Sequence, residues 1–125
     1  MANILFIDDD PYTLATYQKA VEIFGHQALI ASTATEAIDL MIDEVLDLII
    51  LDKNMPDMDG FELLSQIKDR KIVNTTPIVM ISADPKELVM DQALQAGATA
   101  YVSKPIRLDT LMKLIQDHTV PDNSK

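Results

Sequence analysis

Four consecutive apolar residues, Leu48-Ile49-Ile50-Leu51, stop abruptly at an aspartate, Asp52. The run is too short for a helix and β-branched in its middle. It reads as a strand buried on both faces, the kind found in a parallel sheet, and with Leu46 as its start the strand is predicted over Leu46–Leu51. A carboxylate directly after such a run sits at the strand's C-terminal tip, half in and half out of the core, where an unpartnered charge is costly. Lys53, Asn54, Met55 and Pro56 then turn the chain, and Asp57, Asp59 and Gly60 launch the next helix. Taken alone, an aspartate that merely ends a strand would look the same. The other strand ends therefore carry the argument.

Asn3–Ile7 is a first strand running into Asp8-Asp9-Asp10, and Asp10-Pro11 reads as N-cap and first residue of a helix. That helix carries Leu14, Tyr17, Val21 and Phe24 at helical spacing, and Gly25 stops it. Gln27–Ala31 is a second strand, and Thr33 with Glu36 forms a capping box for a helix with the stripe Ala34, Ala37, Ile38 and Met41. After the central strand, Asp59 caps a helix buried through Phe61, Leu64 and Ile67. Pro77–Ile81 is a fourth strand ending at Ser82, followed by a helix opened by Asp84, Pro85 and Glu87 and closed by Gly97. Thr99–Val102 is a fifth strand leading into Ser103-Lys104-Pro105, and the last helix carries Leu108, Leu111, Met112 and Ile115. Strands that alternate with helices give a parallel sheet covered on both faces: an α/β, flavodoxin-like (βα)5 sandwich with strand order 2-1-3-4-5. In that order Asp8, Asp9, Asp52, Ser82 and Lys104 all converge on one rim, where open α/β sheets bind ligands.

The 125 residues suit one domain, read as 1–119 with a tail or linker start at 120–125. No apolar run approaches the roughly 18 residues of a membrane span, and no signal peptide is recognisable, so the expected location is the cytoplasm. There are no cysteines, which removes disulfides and thiolate ligands. Net charge is −10, and the one basic cluster, Lys68, Arg70 and Lys71, falls at a helix end, so neither nucleic acid nor membrane is an expected partner. His26 and His118 read as isolated surface residues, and Asp10, Asp57 and Asp59 as caps and turn formers.

Carboxylates about 4 Å apart repel by roughly 4 kcal/mol at an effective dielectric near 20, so either one carboxyl of the Asp8, Asp9, Asp52 set is protonated or cations neutralise the set. Lys104 supplies one. With oxygen ligands alone, Mg²⁺ (or Mn²⁺) suits the remainder better than zinc. A phosphoryl group beside Asp52 would also meet Lys104, the Ser82 hydroxyl and backbone N–H groups, the parts of in-line phosphoryl transfer to a carboxylate.

The segments ILFIDDDP, LIILDKNMPDMDG, IVMISA and GATAYVSKP, with the spacing between them, resemble the receiver domain of two-component response regulators from Ile4 to about His118. The resemblance implies that Asp52 is the phosphoacceptor and Asp9 the main acidic Mg²⁺ ligand. Asp8 would act through a metal-bound water, and the Asn54 carbonyl would complete the protein ligands. It further implies that Ser82 contacts the phosphoryl group, that Lys104 pairs with its oxygens before a cis Pro105, and that Tyr101 is the aromatic switch reporting to the surface made by the fourth helix, fifth strand and fifth helix. Such a domain is a signalling phosphoacceptor, not an enzyme in its own right, that promotes its own phosphorylation and dephosphorylation. Its implied partners are a sensor histidine kinase or phosphotransfer protein, a downstream protein or fused output domain, and a phosphorylation-dependent second copy. A flavodoxin-type nucleotide site would need a Gly/Ser/Thr-rich loop where Asp8-Asp9-Asp10 stands. A haloacid-dehalogenase-type hydrolase would need an aspartate at Asn54. The remaining alternative is a degenerate receiver acting only as an interaction module, which would be expected to lack Asp9, Asp52, Ser82 or Lys104; none is missing.

Overall fold

The strands β1 (Asn3–Ile7), β2 (Gln27–Ala31), β3 (Leu48–Asp52), β4 (Ile78–Ser82) and β5 (Ala100–Ser103) pair in parallel as one sheet, in the order β2-β1-β3-β4-β5. The computed structural model describes residues 2–55, 57–73 and 75–119, so Pro56 of the expected turn and the expected tail 120–125 lie outside the described residues. The connecting helices are α1 (Pro11–Ile23), α2 (Ala34–Asp43), α3 (Gly60–Asp69), α4 (Lys86–Gln95) and α5 (Leu108–His118).

Because successive strand side chains point to opposite faces, the sheet separates two cores. Leu5, Ile7, Ile49, Leu51, Ile78 and Met80 pack with residues of α2, α3 and α4, including Met41, Leu64 and Ala93. Ile4, Phe6, Leu48, Ile50, Val79 and Ile81 pack with α1 and α5 through Leu14, Val21, Leu111 and Ile115. Every residue of β3 and β4 is buried, as a strand covered on both faces requires.

Several boundaries and stripes differ from expectation, each for a local reason. β3, β4 and β5 each run one residue further than predicted, because Asp52 and Ser82 stay in the ladder opposite Ile81 and Ser103. A polar side chain does not stop its own backbone from pairing. Asp52 is thus buried at 3% exposure, not half out. Phe24 follows the last turn of α1 as its C-cap and is 52% exposed, and Leu108 at the start of α5 is 53% exposed; Leu63 and Leu114 are the buried residues instead. Phe61 is only partly buried against the core. The capping box is split: Thr33 Oγ1 accepts from the Glu36 N–H, but Glu36 Oε1 accepts from Ser32 N–H and not from Thr33. Asp84 does not cap α4, whose N-cap is Pro85 without a side-chain bond. His26 is partly buried, its Nδ1 accepting from the Ala2 N–H, and His118 is likewise only partly exposed.

The basic end of α3 closes with Lys71 at φ 52°, its N–H bonded to Lys68 O and that of Ile72 to Ile67 O. This is the left-handed Schellman stop that glycine usually makes. Gly60 shows the reverse case, an obligatory glycine. Its N–H donates to Lys53 O at 2.6 Å, and a Cβ there would meet Lys53 Cα at 2.6 Å. The clash is with backbone next to Asp52, so it has no cheap relief. Gly60→Ala is expected to lower unfolding free energy by about 1–3 kcal/mol, measured by urea denaturation; an unchanged midpoint would contradict the close approach.

Candidate functional site

Three strand ends are turned by the side chains that stand on them. Asp8, just past β1, accepts the Asp10 N–H through Oδ1 at 3.0 Å. Asp52 accepts the Asn54 N–H through Oδ1 at 3.2 Å, and Ser82 Oγ accepts the Asp84 N–H at 2.9 Å. Each is a side chain capturing the amide two residues ahead, the turn habit of Asp and Ser. The second oxygens of both aspartates turn to Lys104. Its ammonium donates to Asp52 Oδ2 at 3.1 Å and lies 3.0 Å from Asp8 Oδ2.

Strand alternation sorts these groups. Asp8 follows Ile4 and Phe6, Asp52 follows Leu48 and Ile50, and Lys104 follows Ala100 and Val102; all of those apolar residues belong to the α1/α5 core. Ser82 follows Ile78 and Met80, whose core on the other face also takes Tyr101. The Tyr101 hydroxyl donates to the Asp84 carbonyl at 3.1 Å and more weakly to Ser82 O at 3.5 Å. The ionic cluster and the Ser82/Tyr101 pair therefore occupy opposite sides of the sheet.

Burial pushes the Asp52 carboxyl above the usual carboxylate range, and the nearby Asp8 charge adds to this, against the lowering by Asn54 N–H and Lys104. For Lys104, burial alone would lower the ammonium's pKa, but the two carboxylates beside it, Asp8 and Asp52, overcome it and raise it. Tyr17 is raised by burial and then by Asp8.

Carboxylate oxygens of Asp8, Asp9 and Asp52 lie within 4.8 Å of one another. Asp8 Oδ2 is buried and carries no aligned hydrogen bond, only the ion pair with Lys104. An unfilled buried oxygen among three carboxylates, with Asp9 exposed beside it, fits a hard divalent cation. Asn54 stands next to Asp52 with its side chain exposed, and the Lys104-Pro105 peptide is cis as expected. Six of the seven expected site residues stand at or just past the β1, β3, β4 and β5 ends, and Tyr101 lies within β5 with its hydroxyl on the β4–α4 turn. Two features escaped the sequence. Asp57 accepts from Ala34 N–H at 3.0 Å and caps α2 across the chain. Lys53 forms an ion pair with Asp84 at 3.1 Å. Both join residues of separate loops, and no local spacing signals such pairings. Beside Lys104, a cleft of about 480 Å³ opens between Tyr12, Thr16 and Tyr17 of α1 and Pro105-Ile106.

Residues 4–116 match the response regulator receiver domain. An uncharacterized 14.6 kDa protein of Leptolyngbya boryana is 33% identical over 116 residues, covering 93% of this chain and 88% of that protein. The two-component response regulator ORR21 of Oryza sativa subsp. indica is also 33% identical over 116 residues; the match covers 91% of this chain but 16% of ORR21, so most of that relative lies outside it. The chemotaxis response regulator CheY4 of Vibrio cholerae has a similar structure, with a TM-score of 0.86 at 29% identity over 94% of this chain and 98% of that one.

Two expectations follow from the charge cluster. A folded-state carboxyl raised above 3.8 binds its proton more tightly than the unfolded chain does. Ionised Asp52 therefore costs stability at neutral pH, and the cost is relieved as pH falls through its raised value toward about 4. The stability advantage of Asp52→Asn over wild type, measured by denaturation without divalent ions, should shrink over that window. An advantage independent of pH would be the contrary result. Asp9→Ala should raise the metal-free unfolding free energy by up to about 2 kcal/mol and weaken the stabilisation by Mg²⁺, which mass action sets at about 2.7 kcal/mol at roughly 100 times the Kd. Equal stabilisation of both proteins by Mg²⁺ in a thermal melt would count against Asp9 as a ligand.

Proposed function

The chain belongs to the response regulator receiver domain family of two-component systems, and from that premise we propose that Asp52 accepts a phosphoryl group from the phosphohistidine of a sensor histidine kinase or phosphotransfer protein. The observation that carries the reading is Lys104, whose one ammonium lies 3.0 Å from Asp8 and 3.1 Å from Asp52 on the rim of the sheet.

Asp52 is held at both oxygens, by the Asn54 N–H and by Lys104, so the nucleophile has one orientation toward an incoming phosphorus. A carboxylate oxygen attacks phosphorus, the P–N bond breaks, and the imidazole leaves with the electron pair, giving an acyl phosphate on Asp52. Lys104, already charged, balances the oxygens of the transferred group, and the Ser82 hydroxyl has a proton free to donate to one of them. The cleft at Tyr12, Thr16 and Ile106 gives the donor residue room to approach beside Lys104. Receiver domains bind Mg²⁺ at an acidic pocket; here Asp9, Asp52, the Asn54 carbonyl and, through water, Asp8 would hold it, with Mn²⁺ as the alternative. When bound, the ion would neutralise carboxylate and phosphoryl charge.

Receiver domains interact with histidine kinases and output domains. In this chain, the Tyr101 hydroxyl bonded to the β4–α4 turn offers the route by which Asp52 chemistry reaches the α4-β5-α5 surface, for a downstream protein, a fused output domain or a second copy. The domain alters itself and not a separate substrate, hastening its own phosphorylation and dephosphorylation. Net charge −10 disfavours direct nucleic-acid contact. Among the described residues no helix is long and apolar enough to cross a membrane. With Mg²⁺ and acetyl phosphate, intact-mass measurement should show one added, hydroxylamine-labile phosphoryl group, absent from Asp52→Asn. Equal labelling of the variant would remove Asp52 as acceptor.

A further inference from the structure

The loop that follows Asp52 is closed at its neck and pinned at its tip. At the neck, Gly60 N–H donates to Lys53 O, and Asn54 and Asp59 form an antiparallel bridge. At the tip, the Asp57 carboxylate reaches across to α2. Its Oδ1 accepts the Ala34 N–H at 3.0 Å, and its Oδ2 lies 3.1 Å from the same N–H and 3.4 Å from that of Thr35. Amides in the first turn of a helix have no partner within it, and they form the positive end of the helix dipole. We infer that Asp57 is a positioning residue for the divalent cation: by clamping the loop tip to α2 it fixes the direction of the Asn54 carbonyl. The inference rests on the reading of that carbonyl as a metal ligand.

The Asn54 carbonyl belongs to the peptide that joins residues 54 and 55, so its direction depends on what holds the chain on both sides. On the near side, Asp52 Oδ1 accepts the Asn54 N–H at 3.2 Å, and Asn54 is bridged to Asp59. On the far side, Met55 is buried and Asp57 is the polar anchor beyond it. Without the Asp57 carboxylate, the far side would be held by the methionine alone, a flexible side chain that lets its backbone turn while the thioether stays in the core. Mg²⁺ is sensitive to such a turn because it demands near-ideal octahedral geometry. Thr33 supplies the contrast. It caps the same end of α2, its Oγ1 accepting the Glu36 N–H at 3.2 Å, through a bond that does not involve the loop.

The test compares the wild type with Asp57→Ala, with Asp57→Asn, which keeps one acceptor oxygen, and with Thr33→Ala, which removes a cap of α2 and spares the loop. Mg²⁺ affinity is measured by calorimetric titration, and exchange of the Ala34 amide hydrogen by NMR with and without Mg²⁺. Asp57→Ala should weaken Mg²⁺ binding on the order of tenfold, as loss of a group that orients a ligand does. Asp57→Asn should fall between it and the wild type, and Thr33→Ala should bind Mg²⁺ as the wild type does. Coupling between two events is reciprocal, so Mg²⁺ should slow Ala34 exchange in the wild type by a similar factor. That response should vanish in Asp57→Ala. Wild-type affinity in Asp57→Ala would overturn the inference and leave the metal reading standing. So would an equal loss in Thr33→Ala, which would trace the effect to fraying of α2, and so would Ala34 exchange indifferent to Mg²⁺. A wild type that takes up no Mg²⁺ would instead refute the metal reading itself, and the inference with it.

Discussion

One ammonium shared between two buried carboxylates organises this end of the sheet. Asp8 and Asp52 belong to neighbouring strands whose tips would repel each other if left alone, and burial raises the cost of either charge. Lys104 arrives from the exit of β5, which two strands separate from β1 in the sheet order, so the ion contact also ties the far strand's exit to the centre. What remains unmet is informative. Asp8 Oδ2 has charge compensation without an aligned donor, and Asp9 has an exposed carboxylate beside it. The fold tolerates an electrostatic shortfall at the place where a divalent ion and an anionic group would be taken up together, a trade of stability for function.

The side chains that carry the chemistry also shape the backbone around it. Asp8, Asp52 and Ser82 each spend one acceptor on the amide two residues ahead, so a change in what the side chain binds is a change in the turn that follows. At Ser82 that turn contains Asp84, which is bonded to Tyr101 and paired with Lys53. If Asp52 accepts a phosphoryl group as proposed, a short chain of contacts leads from the Ser82 turn to Tyr101.

The alternation of buried runs and amphipathic stretches made the strand order and the rim legible, because topology alone brings the ends of β1, β3, β4 and β5 together. What was illegible depended on tertiary partners. Phe24 and Leu108 have the spacing of a core stripe, yet they sit at helix ends that overhang the sheet, while Leu63 and Leu114 complete the buried faces. Asp57 reads as a cap or turn former, and the helix it caps is α2, across the chain from its own loop. Asp84 looked like a helix opener and instead meets Lys53. Strand ends were placed one residue short because polarity marks where side chains leave the core, not where backbones stop pairing.

The split of the ionic cluster and the Ser82/Tyr101 pair between the two faces of the sheet makes strand length an integer that matters modulo two. Inserting or deleting a single residue within β3 would carry Asp52 from the α1/α5 side to the side of Ser82, leaving Lys104 with Asp8 alone. A change of two residues would keep the face and alter only the reach. A one-residue change is therefore better tolerated in the connections than in the strands, which act as fixed rulers for the two sides of the sheet.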